Sequence, residues 1–161
     1  MGAKKQVWIP IPEAEEVTGY LSLDLLDLAE KGWVPSVERE GDLYFHREFL
    51  ENHMQGWIGT REAEESPSIG YSASYLSRLA RWRWVRARQV IVRGLPNWLF
   101  YREMLEARKE GWVGINEAHK VSGVDKGTLR WRASSGRLNA FKLRVGEREE
   151  IWLFERDDLL S

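Results

Sequence analysis

Cysteine is absent from this chain of 161 residues, and no apolar run approaches the length of a membrane span. Without thiols there is no disulfide framework, no cysteine nucleophile and no cysteine-based zinc site. A membrane-spanning helix needs roughly 20 apolar residues, and the first residues, MGAKKQVWIPIPE, lack the apolar segment of a signal peptide. These absences suit a reducing compartment, and we expect a cytoplasmic protein.

Catalytic and cofactor-binding patterns are also missing. The three histidines, His46, His53 and His119, fall in different predicted elements and lack a consistent serine or carboxylate partner. His46 and His53 could share a helical face, but two histidines without a third ligand make a poor metal site. No glycine-rich phosphate loop is present. We therefore predict no enzyme, no catalytic residues, no cofactor and no metal site.

Tryptophan, by contrast, is abundant, with nine residues, and an internal repeat accounts for this. Residues 8–35 moved forward by 104 positions align with residues 112–139 without a gap. The matches are Trp8 with Trp112, Glu13 with Glu117, Ala14 with Ala118, Gly19 with Gly123, Leu25 with Leu129, Ala29 with Ala133, Gly32 with Gly136 and Val34 with Leu138. The middle of the chain repeats the pattern, with two extra residues near Ser66, through Trp57, Glu62, Ala63, Gly70, Leu76, Ala80 and Val85.

We interpret the repeat as three tandem modules at residues 7–54, 55–109 and 110–161; chance similarity of short amphipathic segments is the alternative. Modules of this size are marginally stable alone, and no Ser/Gly/Pro-rich spacer separates them. We therefore expect a rigid, elongated stack. A single merged core would contradict it. The tryptophans that open the modules would plug a core or a joint, with base stacking as the alternative: Trp8, Trp57 and Trp112.

The last fifty residues have the clearest local pattern. They predict a helix at about residues 116–121, a turn, a second helix capped by Asp125 and ended near Gly136, a hairpin of residues 138–145 and 151–154, and a short helix from Arg156. Helix, tight turn, helix and hairpin is the order of a winged helix-turn-helix. The fold class predicted for the chain is therefore α+β, with three such modules in tandem.

Motifs in this segment carry a family resemblance. Glu-Ala and Ser-Gly-Val within residues 117–124, Asp-Lys-x-Thr-Leu at 125–129, Ser-Gly-x-Leu-x-Ala-Phe at 135–141 and Ile-Trp-Leu-Phe-x-Arg-Asp-Asp-Leu at 151–159 resemble the excisionase-like branch of the MerR-type winged helix-turn-helix domains. The resemblance implies a DNA-binding module whose second helix enters the major groove and whose wing contacts the backbone. Arg132 departs from it, because the family has an apolar residue there. Either the helix is rotated, or Arg132 snorkels past the core.

Charge separates the modules. Residues 1–54 hold 5 Lys/Arg and 11 Asp/Glu (5 − 11 = −6), residues 55–109 hold 10 and 5 (+5), and residues 110–161 hold 9 and 9 (0). These sum to the net charge of −1. In the first module, the second predicted helix (residues 22–30) would place carboxylates against phosphates. Its off-core residues Leu23, Leu26 and Asp27 predict an apolar contact with a protein partner, with a second copy of the chain (self-association) or with the middle module. A merely solvated acidic face is the alternative.

The other two modules present cations and hydroxyls where a duplex would dock. The predicted DNA-binding residues of the middle module are Ser72, Ser74, Tyr75, Arg78, Arg81, Arg86, Arg88 and Arg93. Those of the last module are Lys126, Thr128, Arg130, Trp131, Lys142, Arg144 and Arg148. Carried onto this chain, the resemblance implies groove contacts from Ser74, Arg78, Lys126 and Arg130, and wing-to-backbone contacts from Arg93 and Arg148. For Trp131, packing on a neighbouring module ranks ahead of stacking on Arg130 or touching a thymine methyl.

The leading prediction is a double-stranded DNA-binding protein associated with the nucleoid, acting in transcription regulation, recombination or as a mobile-element accessory. The alternative is a protein-interaction scaffold that no longer binds DNA. Salt separates them, since neutralising 5–8 phosphates predicts a slope of log K against log[salt] of about −4.5 to −7. Neighbouring modules roughly 25–30 Å apart fall short of the ~34 Å helical turn, so two could read successive turns only with bent DNA or a stretched array.

Overall fold

The computed structural model describes residues 6–161, in which one order of elements occurs three times: strand, helix, helix, strand, strand, helix. Repeat 1 comprises β1 (Trp8–Pro10), α1 (Ile11–Thr18), α2 (Ser22–Lys31), β2 (Ser36–Arg39), β3 (Asp42–His46) and α3 (Arg47–Met54). Repeat 2 comprises β4 (Trp57–Gly59), α4 (Thr60–Glu65), α5 (Ala73–Arg81), β5 (Ala87–Val92), β6 (Leu95–Tyr101) and α6 (Arg102–Lys109). Repeat 3 comprises β7 (Trp112–Val113), α7 (Ile115–Ser122), α8 (Lys126–Ser134), β8 (Ala140–Val145), β9 (Glu149–Glu155) and α9 (Arg156–Leu159).

Each repeat forms its own antiparallel three-stranded sheet. The strand orders are β1-β3-β2, β4-β6-β5 and β7-β9-β8, so the third strand of every repeat lies in the centre. That central strand carries a fully buried phenylalanine at the equivalent position: Phe45, Phe100 and Phe154. The chain is therefore α+β, as predicted, with three small sheets.

Local sequence signals explain where the second helix of repeats 2 and 3 begins and ends. The Ser72 hydroxyl accepts from the Tyr75 amide at 3.2 Å, and the Asp125 carboxylate accepts from the Thr128 amide at 2.9 Å. These hydrogen bonds satisfy donors of the first helical turn. The Thr128 hydroxyl and the Thr128 amide both donate to the Asp125 carboxylate and hold the pKa of Asp125 below its ordinary value. Gly136 has a φ of 77°, the left-handed conformation that follows a helix end. The predicted cap at Asp125 and the predicted helix end near Gly136 are confirmed.

The same side-chain and backbone contacts recur in the three repeats. A glutamate of the first helix pairs with an arginine that begins the third helix: Glu13 with Arg47 at 2.9 Å, Glu62 with Arg102, and Glu117 with Arg156 at 3.2 Å. The backbone amide of each arginine donates to the backbone carbonyl of the residue just before the first strand. Arg47 donates to Val7, Arg102 to Gly56 and Arg156 to Gly111. Positions aligned by the sequence repeat therefore make equivalent contacts.

Buried apolar side chains of the described residues form two clusters. The larger contains the buried residues of repeats 1 and 2 together with Val145 and Leu153 of repeat 3. The smaller belongs to repeat 3: Val113, Ala118, Leu129, Ala133 and Phe154. The interior is therefore neither one core nor three, because repeats 1 and 2 pack closely enough to join their apolar side chains.

The sequence left two questions about α8: whether Arg132 rotates the helix or snorkels past the core, and where Trp131 packs. Leu129 and Ala133 are buried, at the positions that Leu76 and Ala80 bury in α5, so α8 is not rotated. Arg132 is only half-buried, which fits a side chain that snorkels out. Trp131 is 53% exposed, and the Arg137 guanidinium of the same repeat lies 4.5 Å from its ring centre. Its packing on a neighbouring module stays a prediction.

No helix within residues 6–161 combines the length and the apolar character that a membrane crossing requires.

Candidate functional site

The contact between repeats 2 and 3, called joint 2, is centred on a buried ion pair. The Arg108 guanidinium binds the Glu117 carboxylate through two parallel hydrogen bonds of 2.8 and 2.9 Å. The two side chains are 8% and 0% exposed. Burial alone lowers the pKa of Arg108, but the hydrogen bonds and the charge of Glu117 outweigh it and raise that pKa. Arg108 also donates to the hydroxyls of Tyr71 and Tyr75, at 3.1 and 2.9 Å, so one side chain of α6 links α5 to α7.

The contact between repeats 1 and 2, called joint 1, has the same plan with a histidine in place of the arginine. His53 Nε2 lies 2.7 Å from the Glu62 carboxylate and donates to it, and His53 Nδ1 accepts from the Tyr20 hydroxyl at 2.8 Å. Burial and the charge of Glu62 raise the pKa of Tyr20. The equivalent residues of the two joints are Tyr20 and Tyr71, His53 and Arg108, Glu62 and Glu117, and Arg102 and Arg156.

A glycine at each joint lets the backbones approach closely. A Cβ on Gly59 would lie 3.0 Å from the Phe49 ring, and one on Gly114 would lie 2.9 Å from the Met104 methyl group. In both joints the carbonyl of a tryptophan in the preceding repeat, Trp33 or Trp84, is a further neighbour. The two joints therefore share backbone packing as well as the polar cluster.

The hairpins of repeats 2 and 3 lie against the preceding repeat and engage three of the predicted DNA-binding arginines. Arg93 donates to the Ser36 carbonyl at 3.1 Å and Arg88 donates to the Asn52 side chain at 2.7 Å. Arg86 forms a two-point ion pair with Glu149. Their contact with a nucleic acid stays a prediction, but each would have to leave an existing partner to make it.

The tryptophans at the start of the repeats lie in these same contacts. Trp57 is buried, and the Arg88 guanidinium lies 3.8 Å from its ring centre. Trp8 is half-buried beneath Arg93, at 5.4 Å, and Trp112 meets the edge of Phe141 with ring centres 4.8 Å apart. Of the two predicted roles, packing in a core or joint is the one that these contacts fit.

The outward faces of α5 and α8 carry four of the remaining predicted cations. Arg78, Lys126 and Arg130 are exposed, and no side-chain hydrogen bond or ion pair joins them to another described residue. Arg81 is exposed and donates only to Ser77 of its own helix, at 3.1 Å. Ser74 is exposed beside them. Each face thus presents guanidinium or ammonium groups that face solvent.

Other predicted DNA-binding residues have structural partners. The Tyr75 hydroxyl accepts from Arg108 in joint 2, and Ser72 and Thr128 belong to helix caps. In the hairpin of repeat 3, Arg144 donates to the Glu147 carbonyl at 2.5 Å, and the Lys142 ammonium lies 5.2 Å from the Trp152 ring centre. Arg148 is exposed near the hairpin tip. Lys142 and Arg144 are exposed too, but unlike them Arg148 makes no side-chain hydrogen bond, ion pair or cation–π contact with another described residue.

Helix α2 presents a different surface. Leu21, Leu23 and Leu26 are 68%, 76% and 43% exposed, and they lie among the exposed carboxylates Asp24, Asp27 and Glu30. Asp27 pairs with Lys31 at 3.0 Å, one helical turn away. The predicted partner-binding residues are thus on the surface together, with apolar and acidic groups side by side.

No group of three or more potential metal ligands occurs in the described part of the chain. Comparison with protein-family models, curated proteins and solved structures finds no match for this chain.

Sequence reasoning missed the polar side chains that meet at the two joints. Glu62 and Glu117 aligned in the repeat, but aligned glutamates on a predicted helix are usually solvated. The informative signal was that a tyrosine, Tyr20 or Tyr71, and a cation, His53 or Arg108, recur at matching positions around each junction.

Proposed function

We propose that the chain binds double-stranded DNA through the outward faces of α5 and α8, in the manner of tandem winged helix-turn-helix modules. The observation that carries the proposal is the set of solvent-facing cations on two equivalent helices: Arg78, Arg81, Lys126 and Arg130. Arginine side chains at such positions can take guanine O6 and N7 together, and all four can neutralise phosphates.

The hairpins contribute less to this proposal than the family resemblance implies. Arg86, Arg88 and Arg93 are engaged by other repeats, so their main role is to hold the stack together. Docking through helices alone would bury fewer phosphates than docking through helices and wings. We therefore expect about four neutralised phosphates rather than the 5–8 expected from the sequence.

A protein-interaction scaffold is the second candidate, and the surface of α2 favours it. Exposed leucines beside carboxylates suit a partner with an apolar groove and a basic rim. The carboxylates would repel the phosphates of a duplex. The two functions are compatible, since α2 belongs to a different repeat from either proposed DNA-binding helix. In that case repeat 1 recruits a partner while repeats 2 and 3 hold the duplex.

Selection of bound duplexes from a random pool tests the proposal. The intact protein is compared with the double variant Arg78→Ala/Arg130→Ala and with a control that removes two exposed arginines elsewhere, Arg39→Ala/Arg61→Ala. Both variants lose two positive charges, so non-specific electrostatics change equally. We expect enrichment with the intact protein and the control, and none with the first variant. Equal behaviour of the two variants would contradict the proposal.

A further inference from the structure

Joint 2 connects the two helices on which the proposed function depends. Arg108 lies on α6, donates to Tyr75 on α5 and binds Glu117 on α7. Helix α7 in turn packs directly on α8. One path from one proposed reading helix to the other therefore passes through a buried guanidinium, beside the Arg86–Glu149 ion pair and the contact of Gly114 with Met104.

That guanidinium makes a geometrically demanding contact. Its two parallel hydrogen bonds to Glu117 fix the plane of the guanidinium group. Two further hydrogen bonds, to the hydroxyls of Tyr71 and Tyr75, hold the group on another edge. Glu117 is fully buried and is bound from its other side by Arg156. Such a cluster permits little change in the angle between α5 and α7, because any rotation would break charged hydrogen bonds out of reach of water.

We propose that Arg108 is a positioning residue that fixes the separation and angle of α5 and α8, so that the ligand is a duplex with two contact segments at one set spacing. This inference rests on the proposed function. Two linked sites gain affinity only where geometry lets both engage, and a stiff link makes that geometry narrow. A spacing changed by half a helical turn, roughly five base pairs, turns the second segment to the opposite side of the duplex.

The chain supplies its own conservative variant. Joint 1 has His53 where joint 2 has Arg108. The variant Arg108→His therefore keeps a hydrogen-bond donor to the glutamate, of the kind that joint 1 contains. A single imidazole nitrogen donates one hydrogen bond to the glutamate where the guanidinium donates two. Tyr75→Phe is a milder second variant, since it removes only the link from Arg108 to α5.

The first arm of the experiment measures the joint without DNA. The chain has no cysteine, so Ser74→Cys on α5 and Ser134→Cys on α8 accept two spin labels at exposed sites. We expect a narrow distance distribution in the parent and a broader one when Arg108→His or Tyr75→Phe is added. Equal widths in the parent and both variants would overturn the positioning role.

The second arm measures binding to duplexes recovered from the random pool, with the two contact segments moved apart one base pair at a time. We expect the intact protein to lose about a hundredfold in affinity at a half-turn offset and Arg108→His to lose far less, while both bind an isolated segment equally. Intact protein that ignores spacing overturns this inference alone. Intact protein that binds no duplex overturns the proposed function and the spacing inference together, even if the label distances remain narrow.

Discussion

The two joints of this protein share one backbone arrangement but differ in the side chain that donates to the central glutamate. Joint 2 buries a guanidinium that is always charged, whereas joint 1 places an imidazole between a tyrosine and a glutamate. Histidine can occupy its site without charge, but arginine cannot. The comparison indicates that the contact between neighbouring repeats needs a hydrogen-bond donor to the glutamate at this position. A permanently charged donor raises the free energy needed to disrupt the joint.

The largest effect expected from the comparison follows loss of the glutamate. Glu117→Gln removes the charge that Arg108 and Arg156 share and leaves a buried guanidinium uncompensated, so we expect a loss of about 3–5 kcal/mol in unfolding free energy. Glu62→Gln should cost less, about 1–3 kcal/mol, because the loss leaves an imidazole short of one hydrogen-bond acceptor rather than a fully buried guanidinium short of its counter-charge. Urea denaturation followed by tryptophan fluorescence measures both. The control is Glu103→Gln, at an exposed glutamate of α6 that has no side-chain partner among the described residues. Equal losses in the two joints would contradict the comparison.

Steric packing at the joint glycines gives the next effect. Gly59→Ala forces the new methyl group against the Phe49 ring, which cannot bend away, and we expect a cost of about 2–3 kcal/mol. Gly114→Ala meets the terminal methyl of Met104, a flexible side chain, and lies at an ordinary contact distance of 3.5 Å from the Trp84 carbonyl, so it should cost under about 1 kcal/mol. Thermal denaturation of the two variants compares them. The reverse order would show that joint 2 is the tighter of the two.

A pH effect should come from joint 1. His46 is buried where repeat 2 has Tyr101, and burial lowers its pKa from 6.5, against smaller raising effects of Glu48 and of the Ile91 backbone. The unfolded chain therefore binds a proton at a higher pH than the folded chain. Stability should fall as pH drops below about 6.5, by at most about 1.4 kcal/mol per pH unit, until the folded pKa is reached.

His46→Asn tests this pH effect, because asparagine can still cap α3 by accepting from the Phe49 amide. The urea midpoint of the variant should change less between pH 6.5 and 5.5 than that of the parent. Parallel pH profiles in the two proteins would exclude His46 as the source.

The smallest effect concerns the tyrosine of joint 1. Tyr20→Phe removes a hydroxyl that donates to His53 and should cost about 0.5–1.5 kcal/mol. Tyr71→Phe removes an acceptor of a charged donor and should cost somewhat more. Calorimetry of the two variants ranks them. A larger loss for Tyr20→Phe would mean that joint 1 depends on its tyrosine more than joint 2 does.

Much of the fold could be predicted from local chemistry. Ser72, Asp125 and Gly136 set helix ends through short-range hydrogen bonds or backbone conformation, and the repeat placed the elements of one module onto the others. The joints could not be predicted in the same way, because the partners of Arg108 are 9 to 37 residues away and depend on how the repeats stack.

The candidate site illustrates the same limit. Arg78 and Arg130 were expected on outward helix faces from helical periodicity, and they are exposed there. Arg88 and Arg93 were assigned to wings facing DNA, since nothing local to β5 shows that the hairpin lies against another repeat. Packing between repeats therefore decided which arginines remain accessible.

Salt dependence of duplex binding tests the central account most directly. With Arg78, Arg81, Lys126 and Arg130 as the docking cations and the hairpin arginines held in the stack, log K against log[salt] should have a slope of about −3.6, reduced by about 1.8 in Arg78→Ala/Arg130→Ala. A slope near zero on every duplex, or one that the double variant leaves unchanged, would contradict the account.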